Sequence, residues 1–120
     1  MSARFDLVTI DVADPALMTA FWSAALDLIE TEREDVDRWV VLSSRAGVRR
    51  IGLQRGTPRR GSVHLDLTCE VEAFEAELTR LLQLGGSLES PVRIEPYGSI
   101  ANCSDPEGNL FDLCAYTVDG

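Results

Sequence analysis

The sequence lacks lysine, has a single histidine and carries no excess of basic charge over its 120 residues. All eleven basic residues are arginine, and twenty acidic residues bring the formal net charge to -9. A domain of this charge repels phosphate backbones, which argues against a nucleic-acid partner. With 45% hydrophobic and 26% charged residues, the composition is that of a globular chain long enough to bury one core.

Close cysteine spacings and long apolar runs are absent as well. Cys69, Cys103 and Cys114 lack the spacings that bind zinc or run redox chemistry, so we predict reduced and mostly buried thiols. Asp6 and Asp11 interrupt the N-terminal stretch where a signal peptide would need apolar residues, and no run is long enough to span a bilayer. We therefore expect a cytoplasmic protein with no membrane partner.

The apolar pattern of the chain repeats. When residues 5–28 are laid over residues 62–85, a period of two switches to a helical period at the same place, which indicates a strand followed by a helix. Three segments of strand character follow each helix: Ile29–Glu34, Arg38–Ser43 and Val48–Arg55, then Ser87–Val92, Gly98–Asn102 and Asn109–Tyr116. The sequence predicts a single α+β domain over residues 1–120, with one βαβββ module at about 4–56 and another at about 61–117.

The two predicted helices differ in how clearly they begin. Asp14 can cap the first helix and Pro15 suits its first position, and we expect this helix to end near Asp27. Val71 stands where a cap would precede the second helix, which should end at the glycines of 85–86. The residues of the first helix predicted to face the core are Leu17, Phe21, Ala24, Ala25 and Leu28.

Side chains alternate between the two faces of a strand, so placing the apolar residues against the helices leaves a polar set on the other face. In the first strands this set is Leu7, Thr9 and Asp11, and then His64, Asp66 and Thr68. In the last strands it includes Gln54 and Asp112. If this face lines a cavity, Thr9, Asp11, Gln54, His64, Asp66 and Asp112 contact its ligand, and Trp39 or Tyr97 supplies an aromatic wall.

Several of these side chains admit more than one role. His64 could hydrogen-bond a ligand as a neutral imidazole, or act as a general base beside Asp66 or Asp112. The two aspartates could form an acid/base pair, although their spacing in the chain does not decide this. The basic cluster could grip an anionic substrate group or keep a loop solvated; it comprises Arg49, Arg50, Arg55, Arg59 and Arg60.

The duplicated module and four local motifs resemble the vicinal oxygen chelate superfamily, which includes glyoxalase I, extradiol dioxygenases and bleomycin-resistance proteins. The motifs are His-Leu-Asp-Leu at 64–67, Asp-Pro-Glu-Gly-Asn-Leu-Phe-Asp-Leu at 105–113, Phe-Trp at 21–22 and Leu-Gln-Arg at 53–55. The resemblance covers essentially the whole chain and is most specific at 105–113. It implies a glyoxalase-like fold, in which curved mixed sheets surround a cavity and the helices lie outside.

The resemblance also implies positions for metal ligands. In metal-binding members four ligands, typically His, Gln or Glu, come from the first and last strands of the two modules, here Leu7, Gln54, His64 and Asp112. Leucine has no lone pair for a cation, so the complete four-ligand site cannot be built. His64, Gln54 and Asp112 remain candidate ligands for a divalent ion, with Asp11 or water supplying the missing coordination.

Three functions are compatible with these residues. The leading hypothesis is a binder of a small molecule, of the sequestering or resistance kind, which needs no metal or other cofactor. The alternative is a metal-dependent lyase, isomerase or dioxygenase that acts on a substrate with vicinal oxygens. The third is a structural or regulatory subunit whose open sheet pairs with a partner. The resemblance further implies a homodimer, and the sequence leaves open whether the protein is an enzyme.

Overall fold

A computed structural model of the protein describes residues 4–61 and 63–117. It divides into two compact units, the first ending at Pro58 and the second beginning at Arg59. Each unit contains one mixed sheet and one α-helix, so the predicted α+β class is confirmed. Ser62, where the second repeat of the apolar pattern begins, lies outside the described residues, as do both ends of the predicted 1–120 domain.

The first unit has the element order βαβββ. Its elements are β1 (Val8–Val12), α1 (Pro15–Leu26), β2 (Ile29–Glu34), β3 (Trp39–Ser43) and β4 (Arg49–Arg55). The strand order in the sheet is β1-β4-β3-β2, in which β1 runs parallel to β4 and the other neighbours are antiparallel. The predicted strand limits are within one residue of those observed.

Both ends of α1 follow from local side-chain chemistry. The carboxylate of Asp14 accepts a hydrogen bond from the backbone N–H of Leu17 at 3.1 Å, and Pro15 occupies the first turn. At the other end Asp27 adopts a left-handed conformation, and the N–H of Leu28 bonds to the carbonyl of Ser23. The predicted start and end of this helix are confirmed.

The predicted core face of α1 is partly wrong. Leu17 is 45% exposed and Ala24 is also exposed, whereas Met18 and Trp22 are completely buried. The other predicted residues are buried, namely Phe21, Ala25 and Leu28. Because α1 carries apolar residues on nearly every side, helical periodicity does not decide which stripe packs against the sheet. The larger Trp22 and Met18 remove more apolar surface from water than Leu17 and Ala24 would.

The second unit contains one more short strand than predicted. Its elements are β5 (Leu65–Thr68), a 3₁₀ turn (Val71–Ala73), α2 (Phe74–Gln83), β6 (Ser87–Leu88), β7 (Arg93–Glu95), β8 (Gly98–Ser104) and β9 (Leu110–Tyr116). The sheet order is β5-β9-β8-β6, and β7 also pairs with β8. As in the first unit, the first strand runs parallel to the last.

The predicted strand Ser87–Val92 is wrong in its extent, because β6 ends at Leu88 and a separate strand, β7, begins at Arg93. Pro91 lies in the gap and has no backbone N–H to donate to a ladder. The N–H of Glu89 still bonds to the carbonyl of Asn102 at 2.8 Å, which keeps the gap beside β8.

α2 covers its sheet less completely than α1 does. Of its residues Phe74 and Leu81 are buried, and Leu82 remains 37% exposed. A groove of about 530 Å³ lies along the helix, lined in part by Phe74, Leu78 and the exposed Ile94 of β7. The helix ends before Gly85, whose φ of 120° agrees with the predicted left-handed stop.

The motif at 105–113 is first of all a turn that joins β8 to β9. Asp105 is 2% exposed, and its carboxylate accepts hydrogen bonds from the N–H groups of Glu107 and Asn109 and from the Asn109 side chain, each at 2.9 Å. Gly108 has a φ of 89°, which glycine adopts without strain. These contacts satisfy a buried carboxylate and fix the start of β9.

The three thiols agree with the expectation of reduced and mostly buried cysteines. Cys103 and Cys114 are buried, Cys69 is half-buried, and all three thiols are free. Within the part of the chain that the structure describes, neither helix has the length and apolarity needed to cross a bilayer.

Candidate functional site

The polar residues predicted in the first unit share one face of its sheet. In the strand register Asp11 lies opposite Gln54 and Thr9 opposite Gly52, while Trp39 lies opposite Gln54 from the other side. Directly opposed residues project to the same face, so these side chains are neighbours. Thr9 and Gln54 are exposed, and Asp11 and Trp39 are half-buried.

Trp39 covers the middle of this face, which the sequence predicted only as one of two alternatives. Its indole lies on Gly52, where an added Cβ would overlap the ring. A glycine inside a strand is a recognised sign of such close approach, but it does not say which group approaches. Tyr97, the other alternative, is 42% exposed and packs beside Tyr116 with ring centroids 6.4 Å apart.

The predicted metal ligands are divided between the two units. Leu7 precedes β1 and is half-buried, and Gln54 lies on β4 of the same unit. His64 and Asp112 belong to the second unit, just before β5 and on β9. Thr9, Asp11, Trp39 and Gln54 stay predicted ligand-binding residues.

In the second unit the structure brings three predicted residues together. His64 Nε2 lies 3.5 Å from Asp66 Oδ1 and 3.8 Å from Asp112 Oδ2. His64 and Asp66 are two residues apart at the start of β5, and Asp66 lies opposite Asp112 in the parallel register, so all three project to one face. The side chain of Asp112 is 24% exposed, against 54% for His64 and 68% for Asp66.

Asp112 is held by a polar chain that the sequence analysis missed. Asn102 on β8 lies opposite Asp112, and its Nδ2 donates a hydrogen bond to Asp112 Oδ1 at 2.8 Å. Ser90 donates to Asn102 Oδ1 at 3.2 Å, which orients the amide so that its NH₂ group faces Asp112. Oδ2 of Asp112 is thereby left on the His64 side. Only the β8–β9 register reveals this contact.

A second polar cluster adjoins the first and contains Arg60 and Glu89. The Arg60 guanidinium pairs with the Glu89 carboxylate and also donates to the carbonyl of Gly108 at 3.2 Å. Ser104, which is buried, donates to the other carboxylate oxygen of Glu89 at 2.6 Å. These hydrogen bonds, first from Ser104 and then from Arg60, hold the pKa of Glu89 below its ordinary value.

Both clusters border one cavity of about 310 Å³. Its lining residues are Arg60, His64, Glu89, Asn102, Cys103, Leu110 and Asp112. Burial raises the pKa of Cys103 to about 11, with the negative charges of Asp112 and Glu89 acting in the same direction. Cys103 is therefore a protonated thiol at neutral pH and a poor nucleophile.

Three members of the predicted basic cluster form ion pairs. Arg49 pairs with Asp6 at 2.9 Å and also with Glu32, and Arg55 pairs with Asp37. Arg60 pairs with Glu89 in the second unit. Arg49 and Arg55 therefore serve as partners of carboxylates, and the role of the cluster as a whole stays a prediction.

The donor atoms of the second unit fit a three-donor cation site better than a four-donor one. Donors of His64, Asp66 and Asp112 all lie within 4.8 Å of one another. Two ligands of one ion lie at most about 4.2 Å apart, because each is about 2.1 Å from the metal, so the widest pair would have to close slightly. Imidazole and carboxylate suit Mn²⁺, Fe²⁺ or Zn²⁺. Leu7, at one of the four positions that the resemblance assigns to ligands, has no donor atom, and the absence of a complete four-ligand site stays a prediction.

Solved structures share this fold along nearly the whole chain. A variant of the fosfomycin resistance protein FosX from Listeria monocytogenes, complexed with Mn(II) and 1S,2S-dihydroxypropylphosphonic acid, is 22% identical with a TM-score of 0.79, covering 98% of this chain and 94% of that one. A glyoxalase-related enzyme from Fulvimarina pelagi is 18% identical with a TM-score of 0.77, covering 96% and 89%. A glyoxalase/bleomycin resistance protein/dioxygenase family enzyme from Burkholderia phytofirmans PsJN is 20% identical with a TM-score of 0.76, covering 92% and 97%.

The shared fold is glyoxalase-like, as the resemblance of the sequence motifs implied. Residues 7–114 match the model of the glyoxalase-like domain, and the chain belongs to that family. No curated protein sequence matches the chain. The predicted homodimer stays a prediction, which light scattering would check.

Proposed function

We propose that the protein binds a small polar molecule in the cavity of its second unit, without the four-ligand metal site of metal-binding relatives. The observation that carries this proposal is the convergence of His64 and Asp112 at a cavity of about 310 Å³. Ligand sites are typically concave, with an apolar wall and a few polar groups that fix orientation. Leu110 supplies apolar wall here, and Asn102 presents Asp112 in a fixed orientation.

The size and polarity of the cavity limit its ligand. A volume of about 310 Å³ is near the small end of the range for ligand sites, so the ligand is small. Asp112 Oδ2 is an acceptor, and the neutral imidazole of His64 can donate or accept. A hydroxyl group can accept from one of these side chains and donate to the other. We therefore expect a ligand with at least one hydroxyl group near His64 and Asp112.

The proposal is tested by comparing ligand affinity between the wild type and variants of the site. A fragment collection rich in small hydroxylated compounds is screened by ligand-observed NMR against the full chain, and hits are titrated by calorimetry in the presence of EDTA. His64→Ala and Asp112→Asn should each lower the affinity for a hit about tenfold or more, because each leaves a polar group of the ligand without its hydrogen-bond partner.

Glu75→Gln is the matched control, because it removes one carboxylate from α2, on which Glu75 is exposed. It should leave the affinity unchanged. Hits that bind the two site variants as tightly as the wild type would overturn the proposal.

A metal-dependent lyase, isomerase or dioxygenase is the second candidate, favoured by the spacing of His64, Asp66 and Asp112. A bound ion there would polarise vicinal oxygens of a substrate. Calorimetric titration with MnCl₂ separates the candidates. Stoichiometric uptake of Mn²⁺ by the wild type that is lost in His64→Ala would support the metal-dependent enzyme and contradict the metal-independent binder. If the wild type takes up no Mn²⁺, the metal-independent binder is supported and the metal-dependent enzyme is contradicted.

A further inference from the structure

Arg60 is the only permanently cationic side chain among the described residues that line the cavity of the second unit. The link between the two sheets carries it, and it is anchored at two points of the wall. Its guanidinium pairs with Glu89 and donates to the Gly108 carbonyl at 3.2 Å. The left-handed conformation of Gly108 belongs to the turn that brings this carbonyl to the guanidinium.

The ion pair between Arg60 and Glu89 is weak enough to open. The Arg60 side chain is 55% exposed. Ion pairs this accessible to water contribute little to stability, because solvent screens them and both side chains lose rotamer freedom. A ligand group that binds the guanidinium in two places can therefore replace Glu89 at little cost.

Glu89 keeps its position when Arg60 changes partner. Its side chain is only 27% exposed, and its second oxygen accepts a hydrogen bond from the buried Ser104. The carboxylate thus has a support of its own, on β8. This asymmetry makes Arg60 the exchangeable member of the pair and Glu89 the fixed one.

We propose that Arg60 determines ligand specificity by binding an anionic oxyacid group, a carboxylate or a phosphate, in the cavity that it lines. The inference rests on the proposed function, in which His64 and Asp112 hold a hydroxylated group of the same ligand. A guanidinium presents parallel N–H donors that match two oxygens of such a group. The ligand class is therefore a small hydroxylated acid or its phosphate ester.

The acidic surroundings make this a selective site. The net charge of -9 repels anions from the surface generally, so an anion that binds does so through a specific contact. Asp112 is engaged by Asn102, and Asp66 is 68% exposed and screened by water. Glu89 remains as the competitor for the guanidinium, and its removal should strengthen binding of an anion.

Inorganic phosphate and acetate are the probes that separate the two anion types. Each is titrated into the full chain, uniformly labelled with ¹⁵N, and the amide shift of Gly108 reports the binding curve. Arg60→Gln should lower the affinity for the probe about tenfold or more. Arg60→Lys should lower it less, because lysine keeps the positive charge but lacks the parallel N–H donors of the guanidinium. Arg59→Gln, the matched control for charge, should leave the curve unchanged.

Glu89→Gln gives the result that a purely structural role would not. It should raise the affinity for the anion several-fold, since the glutamine amide can still accept a hydrogen bond from Ser104 but no longer neutralises Arg60. Equal binding by wild type and Arg60→Gln, weaker binding by Glu89→Gln, or no binding of either anion would overturn the inference.

The two proposals fail separately. If Arg60→Gln weakens phosphate binding while His64→Ala and Asp112→Asn leave the affinity for the fragments unchanged, the anion site is supported and the proposed function is overturned. If His64→Ala weakens fragment binding while Arg60→Gln leaves the binding of both anions unchanged, the proposed function is supported and the anion site is overturned.

Discussion

Both tryptophans of the chain lie in the first unit: Trp22 is buried on α1, and Trp39 lies over the polar face of the sheet. The second unit, from Arg59 onward, contains no tryptophan. It has a groove of about 530 Å³ along α2 and a cavity of about 310 Å³ beside its polar network. The same strand order therefore carries a large aromatic side chain on one sheet and borders a cavity on the other.

The two units thus use one sheet topology with different side chains on its polar face. In the first unit Trp39 occupies the face where polar groups of β1 and β4 lie, and Leu7 precedes β1. In the second unit the residue just before β5 is His64, and small or polar residues leave space around it. Large aromatic side chains contribute most of the packing energy available to a small unit. Polar groups around a cavity contribute less to stability, and they can form hydrogen bonds to a ligand.

A matched pair of core variants gives the largest expected effect on this comparison. Phe21 on α1 is 2% exposed and packs edge-on against Trp22 with centroids 5.0 Å apart, while Phe74 on α2 is 7% exposed and borders the groove. Phe21→Ala should lower the free energy of unfolding by about 4 kcal/mol, and Phe74→Ala by about 2 kcal/mol, because the open site loses fewer contacts. Urea denaturation followed by circular dichroism measures both.

The corresponding leucine variants keep the test usable if an alanine variant does not fold. Phe21→Leu should again cost more than Phe74→Leu. Equal losses at the two positions would break the comparison, since they would mean that α2 is packed as tightly as α1.

An intermediate effect is expected where Trp39 lies on Gly52. Gly52→Ala places a methyl group against the indole, and displacing the ring should cost about 1 to 3 kcal/mol. In a Trp22→Phe background, Trp39 is the only tryptophan, so its fluorescence should shift to longer wavelength as the ring meets water.

Gly56→Ala is the control, because a Cβ there would meet nothing closer than Asp11 Oδ1 at 3.9 Å. It should change neither the fluorescence nor the stability appreciably. An unshifted spectrum in Gly52→Ala would show that the first unit's polar face is not closed by the indole.

The smallest effect concerns the pH dependence of stability at Cys103. The ordinary thiol pKa of 9.0 is raised to about 11 in the folded chain, so between these values the unfolded state has lost a proton that the folded state keeps. Stability therefore falls as pH rises through this window. Cys103→Ala should remove this part of the fall, of order 1 kcal/mol, in urea titrations from pH 8 to pH 11.

Cys69→Ala serves as the comparison variant. The pKa of Cys69 is also raised by burial, but the residue is only half-buried, so its removal should change the slope less. A larger change at Cys69 than at Cys103 would mean that the cavity lining is wetter than the surface around β5.

Local patterns were sufficient to predict most of the strands, both ends of α1 and the faces on which the polar residues of the first and last strands lie. Alternation along a strand placed His64, Asp66 and Asp112 on one face, because neighbouring side chains of a strand must point in opposite directions. Asp14 and Pro15 likewise predicted the start of α1 through contacts within one turn. These inferences need only the few residues on either side.

The rest depends on pairings between segments distant in the chain. Asn102 reaches Asp112 through the β8–β9 register, and Glu89 reaches Ser104 through the short strand β6, neither of which has a local signature. The prediction that Leu17 lies in the core was wrong, and Met18 is buried, because apolar residues surround α1 on most sides. Register and the choice among apolar stripes are settled by the whole unit's packing.

The parallel pairing of β5 with β9 has a thermodynamic consequence. His64 and Asp112 come from opposite ends of the second unit's sequence and meet only when these strands are joined. An unfolded or half-formed chain therefore offers no binding site, and any ligand held there favours the native state by mass action. A rise in melting temperature with ligand concentration would report occupancy without any assay of turnover.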